Sequence, residues 1–150
     1  MPQSLSFVIV HIVFSTKDRR PFIHTSLRSE MHAYLATIAR NMECPCYRVG
    51  GVGDHVHLAL RLKSTTQIAE LIEKLKTSSS RWIKARTSKL SAFAWQRGYG
   101  AFSVSPQYLN ELVAYIENQE EHHKTISFQD ELRKFLKSYG VEHDEKYLWD

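Results

Sequence analysis

Cysteine is nearly absent from the chain. The two present, Cys44 and Cys46, are separated by Pro45 alone, a spacing too short for a CxxC redox pair or a zinc knuckle, so they read as a reduced, cytoplasmic pair. Long hydrophobic runs are lacking as well. The apolar stretch at residues 7–14 falls far short of the roughly 20 residues a membrane-spanning helix needs. No cationic segment precedes that stretch and no small-residue cleavage site follows it, so neither a targeting segment nor a membrane anchor is expected. There is no phosphate-binding loop either. Gly50-Gly51-Val52-Gly53 is not followed by the Lys-Ser/Thr pair of a P-loop, which argues against nucleotide-driven chemistry. Internal repeats and low-complexity segments are missing.

What is present suits one globular unit spanning residues 1–150. With 150 residues and 43% hydrophobic content, the chain can bury one sizeable core and is too short to expect two. Twenty Lys and Arg against sixteen Asp and Glu give a formal charge of +4 and a pI near 9.1. That balance fits an anionic partner, and an ordinary protein with a slight basic excess explains it equally well.

Periodicity supplies the order of elements. Residues 7–14 are rich in β-branched side chains on both faces, the pattern of a central strand covered from two sides. In residues 25–41, Leu27, Met31, Tyr34, Leu35 and Ile38 recur at helical spacing, with Thr25 or Ser26 as N-cap. Residues 46–52 and 56–62 read as two strands of a hairpin whose turn is supplied by the glycines of residues 50–54. Residues 66–86 suit a second helix, capped by Thr65 or Thr66, with a cationic polar face. A fourth strand is expected within residues 95–104. The order β-α-β-β-α-β predicts an α+β fold with a ferredoxin-like, RRM-like sheet and both helices on one face. Ser105-Pro106 then opens a further helix. Ser127 caps a last one that Gly140 ends, and a polar tail with aromatic ends lies on the surface.

The sharpest local signal is Asp54-His55-Val56-His57-Leu58. Strand side chains alternate, so His55 and His57 emerge on one side while Val56 and Leu58 face the core. That geometry can hold one metal ion, although a paired histidine on a strand can equally be solvated. Tyr115 and Gln119, four residues apart, share a helix face. Two imidazoles and an amide oxygen make an incomplete shell, with room for water and phosphate oxygens, which suits Mg²⁺ or Mn²⁺ better than a closed structural zinc site. Alternatively, Tyr115 packs at the core edge and Gln119 faces solvent. His122 and His123 are rival ligands, expected instead to be solvated or to face phosphate. Tyr108 and Tyr99 compete with Tyr115, but Gln119 lies one turn from Tyr115 alone.

Taken together, four segments resemble the successive motifs of the small single-tyrosine HUH transposases of bacterial insertion sequences, including the REP-associated tyrosine transposases. They are His11-Ile-Val-Phe-Ser-Thr-Lys17 with Arg19-Arg20-Pro21; Gly53-Asp-His-Val-His-Leu58; Trp95-Gln-Arg-Gly-Tyr-Gly100 with Phe102-Ser-Val104; and Tyr115-Ile-Glu-Asn-Gln-Glu-Glu-His-His-Lys124 with Ser127-Phe128. They run in order through nearly the whole chain. The resemblance implies that His55, His57 and Gln119 hold a divalent metal and that Tyr115 is the nucleophile. It further implies DNA hairpins as ligands and a homodimer in which the tyrosine helix can serve the partner's histidines.

The chemistry suits these residue types. A metal at a scissile phosphate neutralises charge and polarises phosphorus, and a phenol with a pKa of about 10 needs help to lose its proton. The expected product is a 5′-phosphotyrosine with a free 3′-OH, which a second 3′-OH can resolve to rejoin single-stranded DNA. Lys17, Arg19, Arg20, Lys74, Lys76, Arg81 and Lys84 are candidates for phosphate neutralisation, and Trp95 or Tyr99 for base stacking. Solvated helix faces and core packing explain these equally. Two rival functions remain: a non-catalytic or domesticated DNA-hairpin-binding protein, and a metal-dependent hydrolase of RNA or cyclic phosphate that needs no tyrosine.

Overall fold

A computed structural model describes residues 2–150. Its strands are β1 (Val8–Ser15), β2 (Cys46–Val52), β3 (His55–Leu62) and β4 (Gly100–Val104), and its helices α1 (Thr25–Asn41), α2 (Ile68–Arg86), α3 (Leu109–Glu117), α4 (Gln119–His122) and α5 (Phe128–Tyr139). The sheet order is β2-β3-β1-β4 and every pairing is antiparallel. This is the ferredoxin-like arrangement that the element order predicts.

Strand alternation divides the molecule in two. Val10, Ile12 and Phe14 of β1 and Val56, Leu58 and Leu60 of β3 join Met31 and Leu35 of α1 and Leu71, Leu75 and Ile83 of α2 in the main core. The residues between them face the other way, where Val13 and Phe102 meet Phe128, Leu132 and Leu136 of α5 in a second cluster. β1 is therefore buried on both faces beyond Val8, as its unbroken apolar run requires.

Several boundaries differ from the sequence expectation. The N-caps of α1 and α2 are His24 and Gln67 rather than the threonines or serine nearby, and neither cap makes a side-chain hydrogen bond. The entry to α1 is held instead by tertiary backbone bonding, Ile23 N–H donating to the Gly53 carbonyl at 3.0 Å. At α5 the expected devices are in place: Ser127 Oγ accepts from Asp130 N–H and Gly140 ends the helix with φ 65°. β4 begins at Gly100, and Trp95 makes a single isolated bridge to Thr16.

The glycine-rich segment is the main correction. Gly50 and Gly51 lie inside β2, opposite His57 and Val56, and the turn is confined to Gly53-Asp54. Gly50 is small because α3 crosses there: a Cβ on it would stand 2.4 Å from the Ile116 carbonyl oxygen. Gly51 has φ 147°, a region that disfavours side chains. The tail also does more than lie on the surface. Leu148 and Trp149 pack on the α5 cluster, and the Asp150 carbonyl accepts from Arg97 and Gly98 N–H at 2.8 and 3.0 Å. Among the described residues no helix is long and apolar enough to cross a membrane.

Candidate active site

β3 presents His55 and His57 on the face opposite the main core, but that face is not open to solvent. α3, α4 and α5 cover it, and both imidazoles are fully buried. Gln119 and Tyr115 arrive from the covering layer. The helix carrying them breaks at Asn118 (φ −93°, ψ 16°), so Gln119 starts the short α4 instead of continuing α3. The apolar repeat ends at Ile116, and the polar run after it offers no face to bury that would prolong α3. The two side chains stay one turn apart, with the Gln119 amide donating to the Tyr115 carbonyl at 3.3 Å.

Four further residues complete the cluster. Gln119 Oε1 lies 3.1 Å from His55 Nε2 and 2.8 Å from His123 Nε2. Glu131, from α5, places Oε1 at 2.9 Å from His57 Nε2, 3.5 Å from His55 Nε2 and 3.3 Å from His123 Nε2. Its other oxygen takes the Tyr115 phenol's hydrogen bond and lies 3.0 Å from His122 Nε2. His11, on β1, sits 2.7 Å from His57 Nδ1 through its Nε2.

Each of the three central imidazoles is anchored at Nδ1. His55 is held by Asp54 Oδ1 at 2.7 Å, His57 by His11, and His123 by the Ile126 carbonyl at 2.7 Å. A carbonyl or carboxylate can only accept, so the anchors on His55 and His123 put the ring proton on Nδ1 and leave the Nε2 lone pair turned inward. Such anchoring is how metal-ligating histidines are oriented. Inward-facing lone pairs, an amide oxygen and a carboxylate oxygen repel unless positive charge lies among them, supplied by imidazolium protons or by a cation. The nitrogen and oxygen donors of His55, His57, His123 and Glu131 lie within 4.8 Å of one another, so the residues present fit a divalent metal.

Burial governs the protonation states. Desolvation lowers the His11 pKa to about 3 and, despite the Glu131 carboxylate, that of His57 to about 4, leaving both neutral at pH 7. Burial also opposes the charge on His123, but Glu131 outweighs it and the pKa rises. Glu131 is itself buried, yet hydrogen bonds from His123 in its protonated form, from His57 and from Tyr115 hold it well below the usual carboxylate range. Burial and the adjacent carboxylate push the Tyr115 phenol up, so it is protonated in this arrangement.

The structure therefore gathers all four residues singled out by the resemblance, brings in the rival ligands His122 and His123, and adds Glu131 and His11, which pattern reading did not select as ligands. His122 and His123, expected to be solvated or phosphate-facing, both lie against Glu131. The reason is the kink at Asn118, which turns the α4 side chains inward. Glu131 carries a signal in retrospect: it sits on the apolar stripe of α5, three residues after Phe128 and four before Phe135, and a carboxylate on a buried stripe needs partners. His11 likewise interrupts a strand that is otherwise apolar. Tyr108 is exposed in a 3-10 turn outside the cluster.

The cationic candidates divide. Lys17, Arg20, Lys74, Arg81 and Lys84 are exposed. Arg19 is half-buried with its guanidinium over Trp149. Lys76 is committed to the fold, donating to the carbonyls of Gln96, Arg97 and Gly98 at 2.8, 3.2 and 2.7 Å, and burial lowers its pKa to about 8. Trp95 packs edge-on to Phe14 and Phe93 and donates its indole N–H to Ser79 Oγ at 2.9 Å. It is a core residue rather than a stacking platform, whereas Tyr99 is exposed.

Comparison with known proteins bears on the fold and the family. No curated protein matches the sequence. Among solved structures, a candidate transposase from Deinococcus radiodurans R1 superposes with a TM-score of 0.64 at 22% identity, over 79% of this chain and 98% of its own. A REP-associated tyrosine transposase bound to a REP hairpin superposes with a TM-score of 0.60 at 12% identity, over 84% of this chain and 76% of its own. At those identities the likeness speaks to the fold. The model of the family described as "Transposase IS200 like" matches residues 4–119, a span that takes in β1, the histidine pair, Tyr115 and Gln119, and the chain belongs to that transposase family.

Proposed function

We propose that the protein cleaves and rejoins single-stranded DNA at hairpin-containing ends through a covalent link to Tyr115. The observation that carries this reading is the convergence of the Tyr115 phenol, through Glu131, on the buried cluster of His55, His57 and Gln119. A nucleophile and a metal-competent donor set share one site, which a pure binding protein has no physical need to build. The hairpin carried by one structural relative supports the substrate class.

His55, His57 and Gln119 hold a divalent cation in this reading, Mg²⁺ or Mn²⁺ by the chemistry of phosphate transfer. When bound, that cation neutralises the scissile phosphate and polarises phosphorus. Tyr115 attacks phosphorus, its O–P bond forming as the bond to the 3′ oxygen breaks. The phenol proton passes to Glu131 Oε2, the acceptor already in contact, and the departing 3′ oxygen leaves as a hydroxyl with one proton taken up. Glu131 is available as an acceptor because its neighbours keep it ionised, but the same contacts weaken it as a base, so the transfer would need a cation bound beside the phenol to lower the phenol's pKa. The phosphotyrosine retains the free energy of a phosphodiester, so attack by another 3′-OH rejoins DNA without a nucleotide cofactor. Exposed Lys17, Arg20, Lys74, Arg81 and Lys84, with Arg19, would neutralise the DNA backbone. We place this activity in the cytoplasm, and a homodimer exchanging tyrosine helices is compatible with it.

The test uses 3′-labelled single strands from the flanks of the coding locus, incubated with the full chain with and without Mn²⁺. A metal-dependent, SDS-stable labelled adduct that Tyr115→Phe abolishes is expected. Tight binding with no adduct on any flanking hairpin would overturn the proposal in favour of a non-catalytic hairpin-binding protein.

A further inference from the structure

The family match ends at residue 119, yet two of the donors that converge on the histidine pair lie beyond it. We propose that His123 and Glu131 are metal ligands alongside His55, His57 and Gln119, and that the resulting shell selects a first-row transition cation of the Mn²⁺-to-Zn²⁺ class over Mg²⁺. The inference rests on the metal-dependent reading of the site.

Distances carry it. Neighbouring ligand atoms around one ion with bonds of about 2.0–2.1 Å stand about 2.9 Å apart in octahedral and about 3.3 Å apart in tetrahedral coordination. Glu131 Oε1 lies 2.9, 3.5 and 3.3 Å from the Nε2 atoms of His57, His55 and His123, which is the spacing of a carboxylate sharing an ion with three imidazoles. Gln119 Oε1 lies 3.1 and 2.8 Å from the Nε2 atoms of His55 and His123, close enough to make a fifth ligand. The set is three nitrogens and two oxygens, and a substrate phosphate oxygen completes six.

Chemistry selects the ion. Mg²⁺ prefers oxygen ligands, dehydrates reluctantly and is seldom held by dedicated protein cages. Imidazole donors favour the later divalent metals of the first transition row, with affinity rising from Mn²⁺ towards Cu²⁺. Three imidazoles with fixed Nδ1 partners, two of them buried and His123 half-buried, therefore constitute a transition-metal site. Glu131 also sets where the nucleophile stands, because its second oxygen accepts the hydrogen bond of the Tyr115 phenol.

The experiment measures metal binding by the stripped full chain, using Co²⁺ absorption, Zn²⁺ competition against a chelating dye, and Mg²⁺ calorimetry. One ion per chain is expected, with Zn²⁺ and Co²⁺ held on the order of 100-fold or more tighter than Mg²⁺. Glu131→Gln, close to isosteric, and His123→Gln should each weaken Co²⁺ binding about 10- to 100-fold. X-ray absorption at the zinc edge of the unsubstituted protein counts imidazoles without any variant, and three are expected. Two imidazoles, or unchanged Co²⁺ affinity in both variants, would overturn the assignment of His123 and Glu131. Equal affinity for Mg²⁺ and Zn²⁺ would overturn the selectivity. Loss of binding in His57→Ala alone would leave the metal-dependent nuclease reading intact while this inference fails. No binding by the unsubstituted chain would remove both.

Discussion

Replacing Gly50 with alanine would place a methyl group 2.4 Å from the carbonyl oxygen of Ile116 and 2.6 Å from its Cγ2. Non-bonded heavy atoms settle at about 3.5 Å, so α3 would have to retreat from β2 by about 1 Å. Overpacking of this kind costs about 1–3 kcal/mol, and for a chain of this size each kcal/mol lowers Tm by about 2–4 °C. A fall of about 2–12 °C is therefore expected in thermal unfolding followed by circular dichroism. Function should suffer more than stability. Tyr115 precedes Ile116 directly, and a nucleophile misplaced by about 1 Å can lose on the order of 100-fold in rate. Gly98→Ala is the matched control, since its Cβ would meet no heavy atom nearer than 3.7 Å. Adduct formation on a labelled hairpin strand, measured below the melting range, separates the two effects. A Gly50→Ala variant with unchanged Tm and full adduct yield would refute the view that this glycine exists to admit the tyrosine helix.

Acid should destabilise the metal-stripped protein well above the carboxylate range. His11 and His57 are held near pKa values of about 3 and 4 in the fold against 6.5 unfolded. The unfolded chain therefore binds more protons below pH 6.5, and stability falls as pH drops from there towards 4, by up to about 1.4 kcal/mol per pH unit for each proton. The raised pKa of His123 acts mainly above pH 6.5, since below it both states carry that proton, and a flat urea-denaturation profile between pH 6.5 and 5 would contradict the assignment. Arg81→Ala and Lys84→Ala should each weaken hairpin binding and lower the salt slope by about 1. Lys76→Met should instead cost about 1–3 kcal/mol of stability through three abandoned carbonyls; an unchanged melt would count against its structural role. Ser127→Ala removes the cap of α5 and should cost about 1 kcal/mol. An adduct yield and Tm both equal to the parent's would show that this cap does not hold Glu131 in place.

Much of the fold was legible because its signals are local. The β-branched run of β1, the 3.6-residue repeats of α1 and α2, and the Ser127 and Gly140 bounds of α5 each act over a few residues, and all lie close to where periodicity puts them. Features set by partners distant in sequence were not. Nothing near Gly50 announces that α3 crosses it, and a glycine-rich run reads locally as a turn because turns are its commonest use. The site shows the same division. His55 and His57 are visible as a strand pair, and Tyr115 with Gln119 as a helical one. Glu131 and His123 join them only through the packing of α5 on the sheet and the kink at Asn118. Lys76 illustrates the converse error, since a cation on a polar helix face looks available for phosphate until the carbonyls it holds are located.

The two-residue turn between β2 and β3 bears on how this protein can be re-engineered. Within Gly53-Asp54, one carbonyl anchors Ile23, the other anchors Thr16, and the Asp54 carboxylate steadies His55. Hairpin tips are ordinarily where a chain accepts added residues most readily. Here a spliced-in epitope or fluorophore peptide would pull on the opening of α1, the end of β1 and an imidazole of the cluster at once. A reporter belongs instead in the exposed stretch at residues 142–146, and a library of random insertions should be depleted at the hairpin tip even among clones that still fold.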